Sequence, residues 1–145
     1  MELSCKSEYA ILALMALADH FQDDEPMQIR QIATQQSIPD RYLEQLLAML
    51  RRAGLVRSLR GAKGGYVLAR EPWQITVLEV VTCIEGRDIT TFNGHESVET
   101  TEKKVVKMAW QGACTAMRTV LQNQTLQDLC NHRDAQKQSE LMYYI

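Results

Sequence analysis

Residues 38–68, IPDRYLEQLLAMLRRAGLVRSLRGAKGGYVL, constrain the fold more than any other stretch of this chain. The first half carries apolar side chains at helical spacing (Tyr42, Leu43, Leu46, Leu47, Met49, Leu50), which predicts an amphipathic helix running to about Ala53. Pro39 suits the first turn of that helix, where its missing N–H has no partner to lose. Gly54 is placed for a left-handed cap, with Leu55 as its closing apolar contact. Residues 55–59 and 66–69 then alternate as two strands, and Gly61, Gly64 and Gly65 between them are expected to supply positive backbone dihedrals. A helix sized for the DNA major groove followed by a hairpin is the element order of a winged helix-turn-helix.

Charge sharpens this reading. Arg51, Arg52, Arg57, Arg60, Lys63 and Arg70 fall in one run that no acidic residue interrupts, in a chain of formal net charge −2. Positive charge gathered this way predicts a phosphate-binding face, and the field near that face outweighs the total.

The flanks fit a mainly α chain with a small β-hairpin wing. Residues 5–21 place apolar side chains at 11, 14, 15, 18 and 21, a helical stripe. The charged, proline-ended DDEP at 23–26 is a connector, and residues 28–36 a short helix. TVLE at 76–79 reads as a capping box opening a helix that Gly86 ends. The polar residues 87–101, with Asn93-Gly94, read as a loop. A long helix follows from about Glu102 to Gln122, and Thr125 to Asp128 starts a last one by the same capping logic. The expected organisation is a DNA-binding domain over 1–86, a loop over 87–101 and a helical extension over 102–145.

At 145 residues, with 46% apolar and 23% charged residues, the composition is that of an ordinary globular protein. No apolar run is long enough for a membrane span and no signal-peptide pattern opens the chain, so no membrane partner and a cytoplasmic location are expected. The four cysteines (Cys5, Cys83, Cys114, Cys130) are scattered, with no CxxC pair. The histidines (His20, His95, His132) are equally dispersed, and GAKGG lies between strands rather than before a helix as a nucleotide loop does. Nothing argues for an enzyme.

On the 40–53 helix, Asp40, Arg41, Glu44 and Gln45 lie on the side away from Leu43, Leu46 and Leu47. Glu44 can accept from a cytosine amino group, Gln45 can pair with adenine, and Arg41 can reach guanine or phosphate. Arg60, beside Gly61, is the candidate for minor-groove insertion, and Lys63 for a phosphate. Pro39, Tyr42, Arg51, Arg57 and Gly64 complete the expected DNA-binding set. The other reading of these residues is a solvated helix face and a solubilising hairpin.

Three motifs in order, CKSEYA at 5–10, RYLEQLL at 41–47 and AGLVRSLRGAKGGYVLA at 53–69, resemble the winged-helix regulators of the IscR, NsrR and CymR type, the Rrf-two family. The resemblance covers the first 86 residues and continues through Trp110 and the TLQDL segment at 125–129. It implies a homodimeric transcription regulator on a two-fold-symmetric operator, with the 40–53 helix in the major groove and the wing in the minor groove. It also implies that the long helix crosses its partner's equivalent. The small-residue stripe Val105, Ala109, Gly112, Ala113, Ala116 and Val120 fits that role, with intrachain packing as the alternative.

Several members of the family hold an iron–sulfur cluster through cysteines in the loop before that helix. Here residues 87–103 contain no cysteine, and alignment on Trp110 puts the last ligand position at about Lys104. No cofactor is therefore expected. Two alternatives stay open: an atypical cluster site built across a dimer from Cys83, His95 and Cys5 or Glu8, and a redox-sensing thiol at Cys83 or Cys114. Relatives without the cluster answer to other signals, which leaves a protein or small-molecule effector. A winged helix that binds only protein is the competing class, and the basic wing counts against it.

Overall fold

The computed structural model describes residues 2–94 and 100–144. Helix α1 (Cys5–Ala18) is the hub, packed by α2 (Ile29–Gln36), α3 (Asp40–Arg52), α4 (Val77–Glu85) and α6 (Leu126–Tyr143). The hairpin of β1 (Val56–Leu59) and β2 (Gly65–Leu68) follows α3, and a 3-10 turn over Pro72–Gln74 leads into α4. Helix α5 (Thr101–Asn123) leans on α4. No described helix is long and apolar enough to cross a membrane.

The order of elements follows the expected one, with informative differences at the ends. Helix α1 stops at Ala18, not at residue 21, and turns carry the chain to Asp24. Its buried residues include Ala10, Ala13, Leu14, Ala16 and Leu17, whereas Ile11, Met15, Ala18 and Phe21 are only partly buried. A single apolar stripe is the signature of a helix covered on one side; α1 is covered on several, and alanines let its neighbours approach closely. Ser4 caps α1, and the hydroxyls of Ser4 and Ser7 both donate to Glu85 at the end of α4. These two hydrogen bonds, Ser4's first, hold the Glu85 carboxyl below its usual range.

Helix α3 buries Leu43, Leu46, Leu47 and Leu50, while Met49 is partly buried and Tyr42 is 48% exposed. Tyr42 therefore leaves the buried side it was assigned. Pro39 sits at the N-cap with extended backbone, one position ahead of the first turn. The helix closes as its sequence implies: Gly54 is left-handed, and Leu55 N–H returns to the Leu50 carbonyl at 2.9 Å.

The hairpin pairs Val56 with Leu68 and Leu59 with Gly65. A bridge absent from the sequence pattern joins it to the helices: Met27 and Tyr66 exchange both backbone hydrogen bonds, at 3.0 and 2.8 Å. The glycines of the turn split by cause. Gly61 and Gly65 have positive φ, as expected, but Gly64 does not; it is glycine because a Cβ there would lie 2.3 Å from the Leu59 carbonyl.

Thr76 caps α4 through the Glu79 N–H, yet the reciprocal half of the expected box is missing, because Arg70 takes the Glu79 carboxylate. Thr125 and Asp128 form both halves at α6. Helix α6 also folds back onto α1, where the Arg133 guanidinium grips Asp19 through two bonds of 2.9 and 2.8 Å, and Leu126 joins the main core.

Gly65 faces the Met27 carbonyl, 2.4 Å from where a Cβ would stand, at φ +153°. Gly65→Ala is expected to lower stability by on the order of 2 kcal/mol, by loosening the wing from residue 27. Chemical denaturation of the two proteins measures it; an unchanged midpoint would show that the bridge yields without cost.

Candidate nucleic-acid interface

Four apolar side chains at α3 positions 43, 46, 47 and 50 are buried, so helical geometry turns positions 40, 41, 44 and 45 outward. Asp40, Arg41, Glu44 and Gln45 are all exposed, as is Pro39 ahead of them. No side chain caps this end of α3, which leaves first-turn N–H groups facing solvent. Tyr42 stands beside them, its ring edge-to-face with Tyr9 of α1 at 6.3 Å and 61°. Polar groups of both hydrogen-bonding senses thus share one end of a well-anchored helix.

The wing presents Arg57, Arg60, Gly61 and Lys63 to solvent, while Gly64 is buried beneath the turn. Gly64 N–H closes that turn on the Gly61 carbonyl at 2.9 Å. Arg51, near the end of α3, reaches the Ser58 hydroxyl of β1 at 3.5 Å and so links helix and wing. The basic run is smaller than its sequence suggests: Arg70 is paired with Glu79 and turned toward α4. Asp23, Asp24 and Glu25 share a cleft of about 620 Å³ with Lys63, which sets carboxylates along one flank of the wing.

The stripe on α5 is open to solvent. Val105 and Val120 are 61% and 62% exposed, and Ala109, Gly112, Ala113 and Ala116 are exposed with them. Cys114 is the buried residue of this 23-residue helix. Trp110, Val106 and Met108 are exposed as well. After Gly86, Asp88 accepts from the Thr90 backbone N–H and pairs with Arg118, which ties the start of the loop to the middle of α5.

Sequence reasoning missed Tyr9, Met27 and the Asp88–Arg118 pair. Each owes its role to a partner more than ten residues away, which periodicity does not see. The one available signal was Tyr9 itself, an aromatic beside rather than within the Ala10 and Ala13 pair.

A family model described as "Rrf2: Iron-dependent Transcriptional regulator" matches residues 3–132. The HTH-type transcriptional regulator CymR of Bacillus subtilis is 34% identical over 143 residues, 99% of this chain and 99% of that protein. The HTH-type transcriptional regulator IscR of Yersinia enterocolitica is 36% identical over 135 residues, 92% of this chain and 82% of the relative. Among solved structures, that of CymR, the global cysteine regulator of B. subtilis, aligns with a TM-score of 0.81 at 34% identity, covering 91% of this chain and 98% of the other. That of T. potens IscR aligns with a TM-score of 0.75 at 35% identity, covering 92% and 88%.

The described residues do not gather a donor set that fits an iron–sulfur cluster. The loop between α4 and α5 has no cysteine, and Cys114 is buried inside α5. Cys83 is half-buried in α4 with its thiol directed to the Met49 carbonyl at 3.7 Å. Among the described residues, no three His, Cys, Asp or Glu side chains converge on one point. Cys5 and Glu8 lie exposed in the first two turns of α1, and His95 lies outside the described residues.

Burial, followed by the nearby Glu79 charge, pushes the Cys83 thiol up, and burial does the same for Cys130. A raised pKa means less thiolate and slower reaction. Alkylation at pH 7 is expected to label exposed Cys5 first, with Cys83 and Cys130 slower by about tenfold or more. Peptide mapping after timed iodoacetamide treatment reads the order, and fast labelling of Cys83 would contradict it.

Proposed function

Since this chain belongs to the Rrf2 family of transcriptional regulators, we propose that it works as a homodimer reading a two-fold-symmetric operator. The observation that carries this is the pairing of an exposed, hydrogen-bonding end of α3 with a solvent-facing basic wing, each anchored to the core from behind. Helix α3 enters the major groove. There Arg41, Glu44 and Gln45 meet base edges, while Pro39, Asp40 and Tyr42 border the backbone. The wing follows into the neighbouring minor groove, with Arg60 inserted beside Gly61, and Arg51, Arg57, Lys63 and the close-packed Gly64 along phosphates.

The dimer forms through α5. A helix of this length, about 35 Å, cannot remain in water with its valines and Trp110 bare at no cost, and a second copy is the natural cover. Val105, Ala109, Gly112, Ala113, Ala116 and Val120 form the seam, their small side chains admitting a close approach of two helices. A two-fold contact of this kind places two reading heads for a palindromic site. The division of labour is then DNA binding in 1–86, signal reception in the loop of 87–101, and pairing in 102–145. The Asp88–Arg118 ion pair supports the middle assignment, since it links the loop to the pairing helix.

Selection from genomic fragments, followed by titration of the recovered site, tests the reading. Affinity is expected to fall about a thousandfold or more between 50 and 200 mM salt, because neutralised phosphates release counterions. Arg60→Ala is expected to weaken binding by about tenfold and relax any A·T preference under the wing. Recovery of no fragment, or binding indifferent to salt, would remove the DNA-binding assignment. For the pairing helix, Val120→Glu is expected to shift sedimentation from dimer toward monomer, and an unaltered dimer would move the seam elsewhere.

A further inference from the structure

Tyr9 belongs to α1, the helix that stands behind the reading head, and yet its ring leaves the core to meet Tyr42 edge-to-face at the exposed start of α3. Tyr9 is partly buried and packs against the main core. Among the described residues its hydroxyl has no hydrogen-bond partner, and no buried side-chain oxygen is left unpaired. The Tyr9 hydroxyl therefore reaches solvent, next to the exposed Tyr42, whose hydroxyl likewise has no partner among the described residues.

We propose that Tyr9 is a DNA-backbone contact and a positioning residue for the recognition helix. The inference rests on the DNA-binding reading above. The Tyr9 ring holds Tyr42 in one orientation, and its hydroxyl donates a hydrogen bond to the phosphate that borders the first turn of α3. Two phenols side by side suit a phosphodiester oxygen: each offers a neutral donor on a rigid ring, with few side-chain rotations to freeze on binding. Because α1 carries the core, this contact also ties a backbone phosphate to the centre of the fold rather than to α3 alone.

The test uses the full chain and the operator recovered from genomic fragments. Tyr9→Phe keeps the ring and deletes the hydroxyl. It is expected to weaken binding about three- to tenfold on operator and non-operator DNA alike, since phosphate contacts carry no sequence information. The dependence on salt is expected to stay unchanged, because a neutral donor displaces no counterion. Operator DNA with a neutral methylphosphonate at each linkage in turn locates the contact. One linkage per half-site is expected to cost the wild type several-fold more than it costs Tyr9→Phe.

Tyr9→Leu removes the ring as well and is expected to weaken binding about threefold further, with thermal unfolding showing that both variants are folded. Tyr9→Phe binding as tightly as wild type would overturn the phosphate contact, and Tyr9→Leu no weaker than Tyr9→Phe would overturn the positioning role. If the wild type retains no fragment, the DNA-binding reading and this inference fall together. Tight wild-type binding with an indifferent Tyr9→Phe removes this inference alone.

Discussion

The leucine face of α3, closed against α1, is the contact on which the rest of the molecule depends. Leu43, Leu46, Leu47 and Leu50 are each no more than 2% exposed, and burying each is worth about 1.5–3 kcal/mol. Once they are inside, helical geometry leaves Arg41, Glu44 and Gln45 no direction but outward. The orientation of this polar surface is thus a by-product of hydrophobic burial on its opposite side. Tyr42, at the margin of that contact, is neither core nor free surface, and its ring is held by Tyr9.

The wing hangs from the same core by backbone rather than by side chains. The residue-27 bridge pairs the chain after the acidic connector with β2, and Ala69 N–H returns to Leu55 at 3.0 Å. Gly64 and Gly65 are required because carbonyls stand where their Cβ atoms would be. A hairpin of two four-residue strands is marginal in water by itself. Here the third pairing and the buried Val56, Val67 and Leu68 give it a fixed seat, so that Arg57 and Arg60 are displayed from a rigid base.

Helix α5 reverses this economy. Its apolar residues find little cover in one chain, while Asp88 and Arg118 fasten it to the residues that follow α4. The buried thiols of Cys114 and Cys130 behave as small apolar side chains in this setting. The contrast with α3 and the wing is chemical as well as geometric: their polar and basic groups are exposed, while among the described residues the donors that a cluster demands are not gathered.

What the sequence determined by itself is local. The helices, and those ends that Thr76, Thr125, Gly54 and Gly86 mark, were legible because these residues act within four residues of where they stand, and the four leucines of α3 recur at the helical period. The basic turn was legible because its glycines and arginines are contiguous. Only the tertiary structure decided which side of α1 is buried, that Arg70 leaves the basic run for Glu79, that Met27 joins the wing, and that Tyr9 meets Tyr42. The physical reason is one of range. Capping and amphipathicity are set by neighbours a turn away, whereas these pairings join residues from nine to thirty-nine positions apart and exist only once the core has brought their helices and strands together.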